Sequence, residues 1–284
     1  MQHVLTALLA GTIITGVVGL DAFAGPKLDE YVYHGNGKYS PKGRPGPESG
    51  AGSGNLEVRG GYGLDHEGDD DGLNWGLRGS HNFTVLRNIN IQADISYQRA
   101  VVNKSTQSNA ILGGHLFWRN PNSFAAGVFY QSNKPGLFET KGGGDVKGAE
   151  FAVFANNVTL LGQVGFGDEG DSEFIVGKGG LRIYARDDLR FDIDTSVTYE
   201  EPTATSDIFA TEIGAKLNYR LPNEPVTIFG GVRYSMATLS SGLVETDSSS
   251  TQAFVGAKLH YGTDSLKEEE RHGVLWDPVY GWFE

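Results

Sequence analysis

The chain has 284 residues, 23 basic against 35 acidic for a formal net charge of −12, no cysteine and 41 glycines. The acidic balance argues against nucleic-acid binding, which wants a basic face. The lack of cysteine excludes disulfides, a thiolate metal site and a cysteine nucleophile. Glycine at roughly twice its average usage suits apolar residues spread along strands better than apolar residues gathered in one soluble core.

Taken in chain order, Val4 to Leu20 is an apolar stretch that ends in the small-x-small run Ala22-Phe23-Ala24. Residues 1–24 therefore read as a cleaved secretory signal peptide, although Met1-Gln2-His3 brings no basic residue to its start. The competing reading is an uncleaved anchor, and no later stretch resembles a transmembrane helix. Residues 25–54 are rich in Pro and Gly and show neither helical nor strand period. They read as a flexible periplasmic lead-in, with Tyr31-Val32-Tyr33 docking at most locally.

From Asn55 onward the pattern becomes a strict alternation that repeats about twelve times over residues 55–262. The first strand sets Leu56, Val58, Gly60, Tyr62 and Leu64 against Glu57 and Arg59, and the second sets Leu73, Trp75, Leu77 and Phe83 against Asn74, Arg78 and Ser80. The third sets Ile89, Ile91, Ile95 and Tyr97 against Gln92 and Asp94, and the fourth sets Leu112, Leu116 and Trp118 against His115 and Arg119. Shorter patterns follow at Phe124–Tyr130, at Phe151–Ala155 opposite Glu150, and at Leu160–Phe166 opposite Gln163. The eighth segment, Ile175–Ile183 opposite Lys178 and Arg182, is the least clear, and its glycines Gly177 to Gly180 suggest a bulge. The ninth to twelfth place Arg190, Asp192 and Asp194, then Glu212 and Lys216, then Arg233, then Lys258 and His260 opposite apolar sets that end at Tyr199, Tyr219, Tyr234 and Tyr261. Segments of about ten residues with a two-residue period are what a tilted strand needs to cross a hydrocarbon slab.

Two further patterns agree. Connections alternate between short turns, such as Asn156-Asn157 and Arg186-Asp187-Asp188, and longer loops at Asp65–Gly72, Val102–Asn109, Asn133–Gly148, Asp168–Glu173, Glu200–Asp207 and Met236–Ser250. Outward aromatics fall in two bands, Tyr62, Trp75, Tyr97, Tyr130, Tyr199 and Tyr234 beside the long loops and Trp118, Tyr219 and Tyr261 beside the short turns. Two aromatic girdles with aliphatics between them match the two interfaces of a bilayer. The expected fold is all-β, a transmembrane antiparallel up-and-down barrel of about twelve strands. Residues 263–284 begin with a charged run, Lys267-Glu268-Glu269-Glu270-Arg271, and read as a periplasmic C-terminal tail.

With these features the chain resembles Gram-negative outer-membrane β-barrels, porin-like in style. The modules His115-Leu116-Phe117-Trp118-Arg119-Asn120-Pro121 and Gly256-Ala257-Lys258-Leu259-His260-Tyr261-Gly262 are similar to alphaproteobacterial members. The resemblance implies residence in the outer membrane, contact with its lipids and lipopolysaccharide, and insertion by the barrel-assembly machinery.

Strand parity points Arg59, Arg78, Arg119, Lys178, Arg182, Arg190, Lys216, Arg233 and Lys258 into the lumen, with Asp94, Glu150, Asp192, Asp194 and Glu212 as acidic partners. A charged wall faces water or a partner charge. The expected function is a diffusion channel for small polar or anionic solutes, with these side chains as the selectivity wall. The alternative is a plugged, non-conducting barrel that works through its loops, since twelve strands fall between side-chain-filled small barrels and open large porins. The acidic loops, Asp65 to Asp71 and Asp168 to Glu173, fit no EF-hand spacing and read as solvated surface. No Gly-x-Ser-x-Gly or His-Glu-x-x-His motif occurs, so no catalytic residue, metal or cofactor is expected.

Overall fold

The computed structural model describes residues 31–33, 39–41, 52–66, 71–86, 88–102, 105–135, 143–170, 172–203, 206–241 and 244–279. The expected signal peptide lies outside these residues, as does most of the lead-in. Two short strands, β1 (Tyr31–Tyr33) and β2 (Tyr39–Pro41), pair antiparallel. The Tyr31-Val32-Tyr33 segment is thus part of a small hairpin.

Twelve strands form the closed barrel. They are β3 (Ser53–Asp65), β4 (Gly72–Leu86), β5 (Ile89–Val102), β6 (Ser105–Asn120), β7 (Phe124–Lys134), β8 (Gly144–Ala155), β9 (Val158–Glu169), β10 (Ser172–Arg186), β11 (Leu189–Thr203), β12 (Ser206–Arg220), β13 (Val226–Ser241) and β14 (Val244–Tyr261). Each pairs antiparallel with the next, and β14 closes on β3 from Tyr261↔Gly54 to Ser250↔Asp65. Closure leaves no open strand edge, the condition for a sheet surrounded by lipid.

The outer face carries the apolar side of the alternation. Leu112 is 63% exposed and Val255 68%, and a belt of such residues circles the barrel. Exposed apolar surface on this scale marks a face built for lipid. Of the expected girdle aromatics, Tyr62, Trp75, Trp118, Tyr130, Tyr234 and Tyr261 are exposed. Tyr97, Tyr199 and Tyr219 are half-buried; Tyr97 lies 5.6 Å from Trp75, centroid to centroid.

Three expectations are corrected. Most of the long loops are largely strand: β5 and β6, β11 and β12, and β13 and β14 each continue to within two residues of one another. Hydrophobic alternation records only the stretch where one face meets lipid. Beyond it, in Thr246 to Ser250 for instance, both faces are polar while the ladder runs on to Ser241↔Val244. Gly177 to Gly180 hold regular register against both neighbours, and the irregularity lies at Tyr184/Arg186, next to the short turn. Finally, residues 263–279 do not hang from the barrel as a tail. They turn into it.

That turn follows from Gly262, whose φ of +80° is a left-handed conformation that suits glycine. A Cβ there would lie 2.8 Å from the Ser53 Cβ and 2.9 Å from the Gly52 carbonyl oxygen. The helix α1 (Leu266–His272) comes next. Its N-cap, Ser265, accepts from the Glu268 N–H at 3.1 Å, while the Glu268 carboxylate reaches back to the Asp264 N–H at 2.8 Å, close to a capping box. Leu266, Glu269, Glu270 and Arg271 of this short helix are buried, and an extended segment continues to Val279.

The belt yields a test. Val58→Arg, in the middle of the lipid face of β3, should destabilise the barrel by about 2–4 kcal/mol and Leu64→Arg, at its loop end, by about 0–1 kcal/mol. Equilibrium unfolding in lipid vesicles measures both, and equal costs would contradict the placement of the belt.

Candidate functional site

Twelve strands enclose more space than inward side chains fill, in contrast to an eight-stranded barrel. Here the chain's own C-terminal segment occupies part of that space. The inner wall has two unlike halves. From β6 to β10 it presents Phe117, Ala125, Phe129, Val146, Ala152, Phe154, Phe174 and Val176, all buried. Leu275 and Trp276 pack on Phe117, Ala125, Ala152 and Phe154, and Val279 packs on Phe129, Val146, Phe174 and Val176. Trp276 meets Phe117 edge-on at 5.8 Å and stacks on His115 at 6.5 Å.

The wall's backbone is committed to the barrel ladder, so the tail's backbone groups must be met by side chains. Gln92, fully buried, does this as a strand edge would. Its Oε1 accepts from the Leu275 N–H at 2.9 Å and the Trp276 N–H at 3.2 Å, and its Nε2 donates to the Trp276 carbonyl at 2.8 Å. Arg78 donates to the same carbonyl at 2.7 Å, Arg119 to the Gly273 carbonyl at 2.7 Å, Lys178 to the Pro278 carbonyl at 2.7 Å, and Gln131 accepts from the Val279 N–H at 3.0 Å.

Charges are matched as well. Glu270, with no exposed surface, accepts from Tyr184 Oη at 2.5 Å and Arg182 Nη1 at 3.2 Å, with Thr159 as a further donor and Arg190 at 3.8 Å. Arg271 donates to the Pro121 carbonyl at 2.9 Å and lies 4.4 Å from the centre of the Phe154 ring. Asp277 is gripped by Arg78 and by Arg182, the latter at 3.0 Å. At the turn end, Glu269 accepts from Asn55 Nδ2 at 2.6 Å and sits 3.1 Å from His260 Nδ1. Burial raises the Glu269 carboxyl, but His260, Lys258 and Asn55 outweigh it and hold the group down to about 2.

Beside β3, β4 and β9 to β13 the tail leaves a polar cavity of about 70 Å³, room for on the order of five waters. Of the expected lumen residues, Arg59, Arg78, Lys178, Arg182, Asp192, Asp194, Lys216 and Arg233 line it, together with Glu57 and Asp277. The other expected residues face inward but do not line it. Asp94 pairs with Arg78 at 2.8 Å and His115 at 3.3 Å; Glu150 lies 2.8 Å from His115; Arg190 holds Asp192 through a fork at 2.6 and 2.8 Å; Glu212 lies 3.6 Å from Arg233; Lys258 lies 2.9 Å from Glu57. Arg119 is committed to the tail.

Sequence reasoning missed the tail's share of this site: Glu270, Leu275, Trp276 and Asp277, and the Gln92 that receives them. The available signal was an inner wall that turns apolar. Inward phenylalanines at positions 117, 129, 154 and 174 have no water to face and need a partner.

No protein-family profile and no curated protein matches the sequence. Solved structures do match in shape. An outer-membrane channel from Pseudomonas putida F1 aligns at a TM-score of 0.51 and 11% identity, covering 76% of this chain and 99% of that one. The NanC porin aligns at 0.47 and 11%, covering 70% and 98%. The KdgM porin aligns at 0.47 and 9%, covering 72% and 99%. At such identities the likeness to the Pseudomonas protein is one of fold alone, a β-barrel.

Two outcomes follow. Trp276→Ala should weaken tail docking by about 3–5 kcal/mol, the range for emptying a buried tryptophan site. It should appear as faster hydrogen exchange over residues 273–279 with the barrel's heat-modifiable gel migration unchanged. Because the Glu269 carboxyl is depressed from 4.5 to about 2, its contribution to docking is complete above pH 4.5 and is lost as pH falls toward 2. Exchange at α1 should therefore rise over that window in the wild type and rise less in Glu269→Gln, where the likewise depressed Glu270 still titrates.

Proposed function

We propose that the protein is a narrow, passive, porin-like channel of the bacterial outer membrane that admits small polar or anionic solutes and carries no catalytic site. One observation carries this reading: beside the docked tail the lumen keeps a polar cavity lined by six basic and four acidic side chains. A wall with that balance in a low-dielectric surround favours anions. The small volume favours ions and small solutes over anything larger. The lipid-facing belt and the fold support the outer membrane as its location, with lipopolysaccharide and lipid as neighbours and the barrel-assembly machinery as the route of insertion.

A second reading, a closed barrel that acts through its hairpin tips, draws on one specific observation, the depth at which Trp276 and Glu270 are buried and bonded. Single-channel recording of the refolded protein in a planar bilayer under a salt gradient separates the two. The channel reading expects small, stable steps with an anion-leaning reversal potential, and Lys216→Glu or Arg233→Glu should move that potential toward cations. A folded, heat-modifiable protein that passes no current would overturn it in favour of the closed barrel.

A further inference from the structure

Asp277 differs from the rest of the buried tail. Its side chain is 31% exposed, whereas that of Glu270 has no exposure, and it lines the cavity. Its two oxygens go to two different arginines. Oδ1 accepts from Arg78 and Oδ2 accepts from Arg182 at 3.0 Å. Both guanidinium groups have partners besides Asp277. Arg78 is bonded to Asp94 at 2.8 Å and to the Trp276 carbonyl at 2.7 Å, and Arg182 to Glu270 at 3.2 Å and to the Leu275 carbonyl at 3.1 Å. Their side chains are 2% and 10% exposed, both line the cavity, and the pair stays set as long as the tail is docked.

We propose that Arg78 and Arg182 form a carboxylate-binding site in the lumen, that Asp277 occupies it as a ligand tethered to the chain, and that a free small carboxylate competes with Asp277 for it. Two planar forks converging on two oxygens are a geometry suited to a carboxylate. Asp277 is one of four acids in the cavity against six bases, so withdrawing it leaves six against three. The tail would not have to leave for the exchange to happen, because Trp276, Leu275 and Gln92 hold it from the other side. A tethered ligand competes at an effective concentration on the order of millimolar or more, so a solute binds the wild type weakly and a chain without the tether tightly. As a statement about transport this rests on the channel reading. As a statement about binding it does not.

The test is equilibrium dialysis of radiolabelled malonate against the full-length protein in detergent, using variants whose heat-modifiable migration shows a folded barrel. Asp277→Ala should bind malonate at least tenfold more tightly than wild type, and adding Arg182→Gln should abolish the gain. Asp194→Asn removes one negative charge from the same cavity and should not reproduce it. No gain in Asp277→Ala, a gain that survives Arg182→Gln, or an equal gain in Asp194→Asn would each overturn the proposal. Should Asp277→Ala not fold, Asp277→Asn decides: it keeps the side-chain volume and removes the charge, so it should also bind malonate more tightly than wild type, and no gain overturns the site. Bilayer recordings on the same variants keep the two readings apart. Tighter binding without current retains the site and removes the channel; current without tighter binding does the reverse.

Discussion

In hydrocarbon no water is present to meet an unpaired N–H or C=O group, and that constraint sets everything else in this molecule. It demands a sheet without edges, which here is met by pairing β14 with β3. Closure at twelve strands then fixes an interior too wide for the inward side chains to fill. The tail enters that space, and the same constraint returns in a second form. The ladder has taken the wall's backbone, so the tail's own N–H and C=O groups are met by Gln92, Arg78, Arg119, Lys178 and Gln131. These polar wall residues are as much a requirement of the tail's backbone as a feature of the lumen.

Alternation was readable wherever one strand face meets lipid and the other meets polar atoms. In β4, Leu73, Trp75 and Leu77 are exposed while Arg78, Ser80 and Asn82 are buried, and the strand is plain in the sequence. The pattern fades in two places for opposite reasons. At the hairpin tips both faces are polar, so strands that continue to Ser241 and Val244 read as loop. From β7 to β10 part of the inner face is apolar too, because Phe129, Val146, Phe154 and Phe174 face a protein partner instead of water. There the sequence keeps its strand propensity and loses part of its contrast, and in the eighth predicted segment Gly177, Gly179 and Gly180 add no side chain to mark either face.

The tail was obscured by the same ambiguity in its charges. Lys267-Glu268-Glu269-Glu270-Arg271 has the composition of a solvated segment, and Glu268 does stay at the surface end of α1, bonding the Asp264 N–H. Glu270 instead meets Arg182, Tyr184 and Thr159, residues that lie more than eighty positions away in sequence. A run of charges cannot declare whether its partners are water or a distant wall. The basic excess of the lumen was legible from strand parity, but its counter-charge was sought in solutes and partly resides in the chain.

The division of the lumen into two halves decides how complete the filling can be. Hydrophobic burial draws Leu275, Trp276 and Val279 to the side where β6 to β10 supply phenylalanine, valine and alanine. On the other side, Arg59 and Lys216 already cover the rings of Phe254 and Phe229, and burying these charges under the tail would cost desolvation that neighbouring carboxylates only partly offset. The tail therefore hugs one wall and leaves a charged gap along the other, with Asp277 at the boundary between the two. A lumen part filled and part open follows from an inner wall whose phenylalanines, valines and alanines cluster from β6 to β10 while most of its unfilled charges line the cavity.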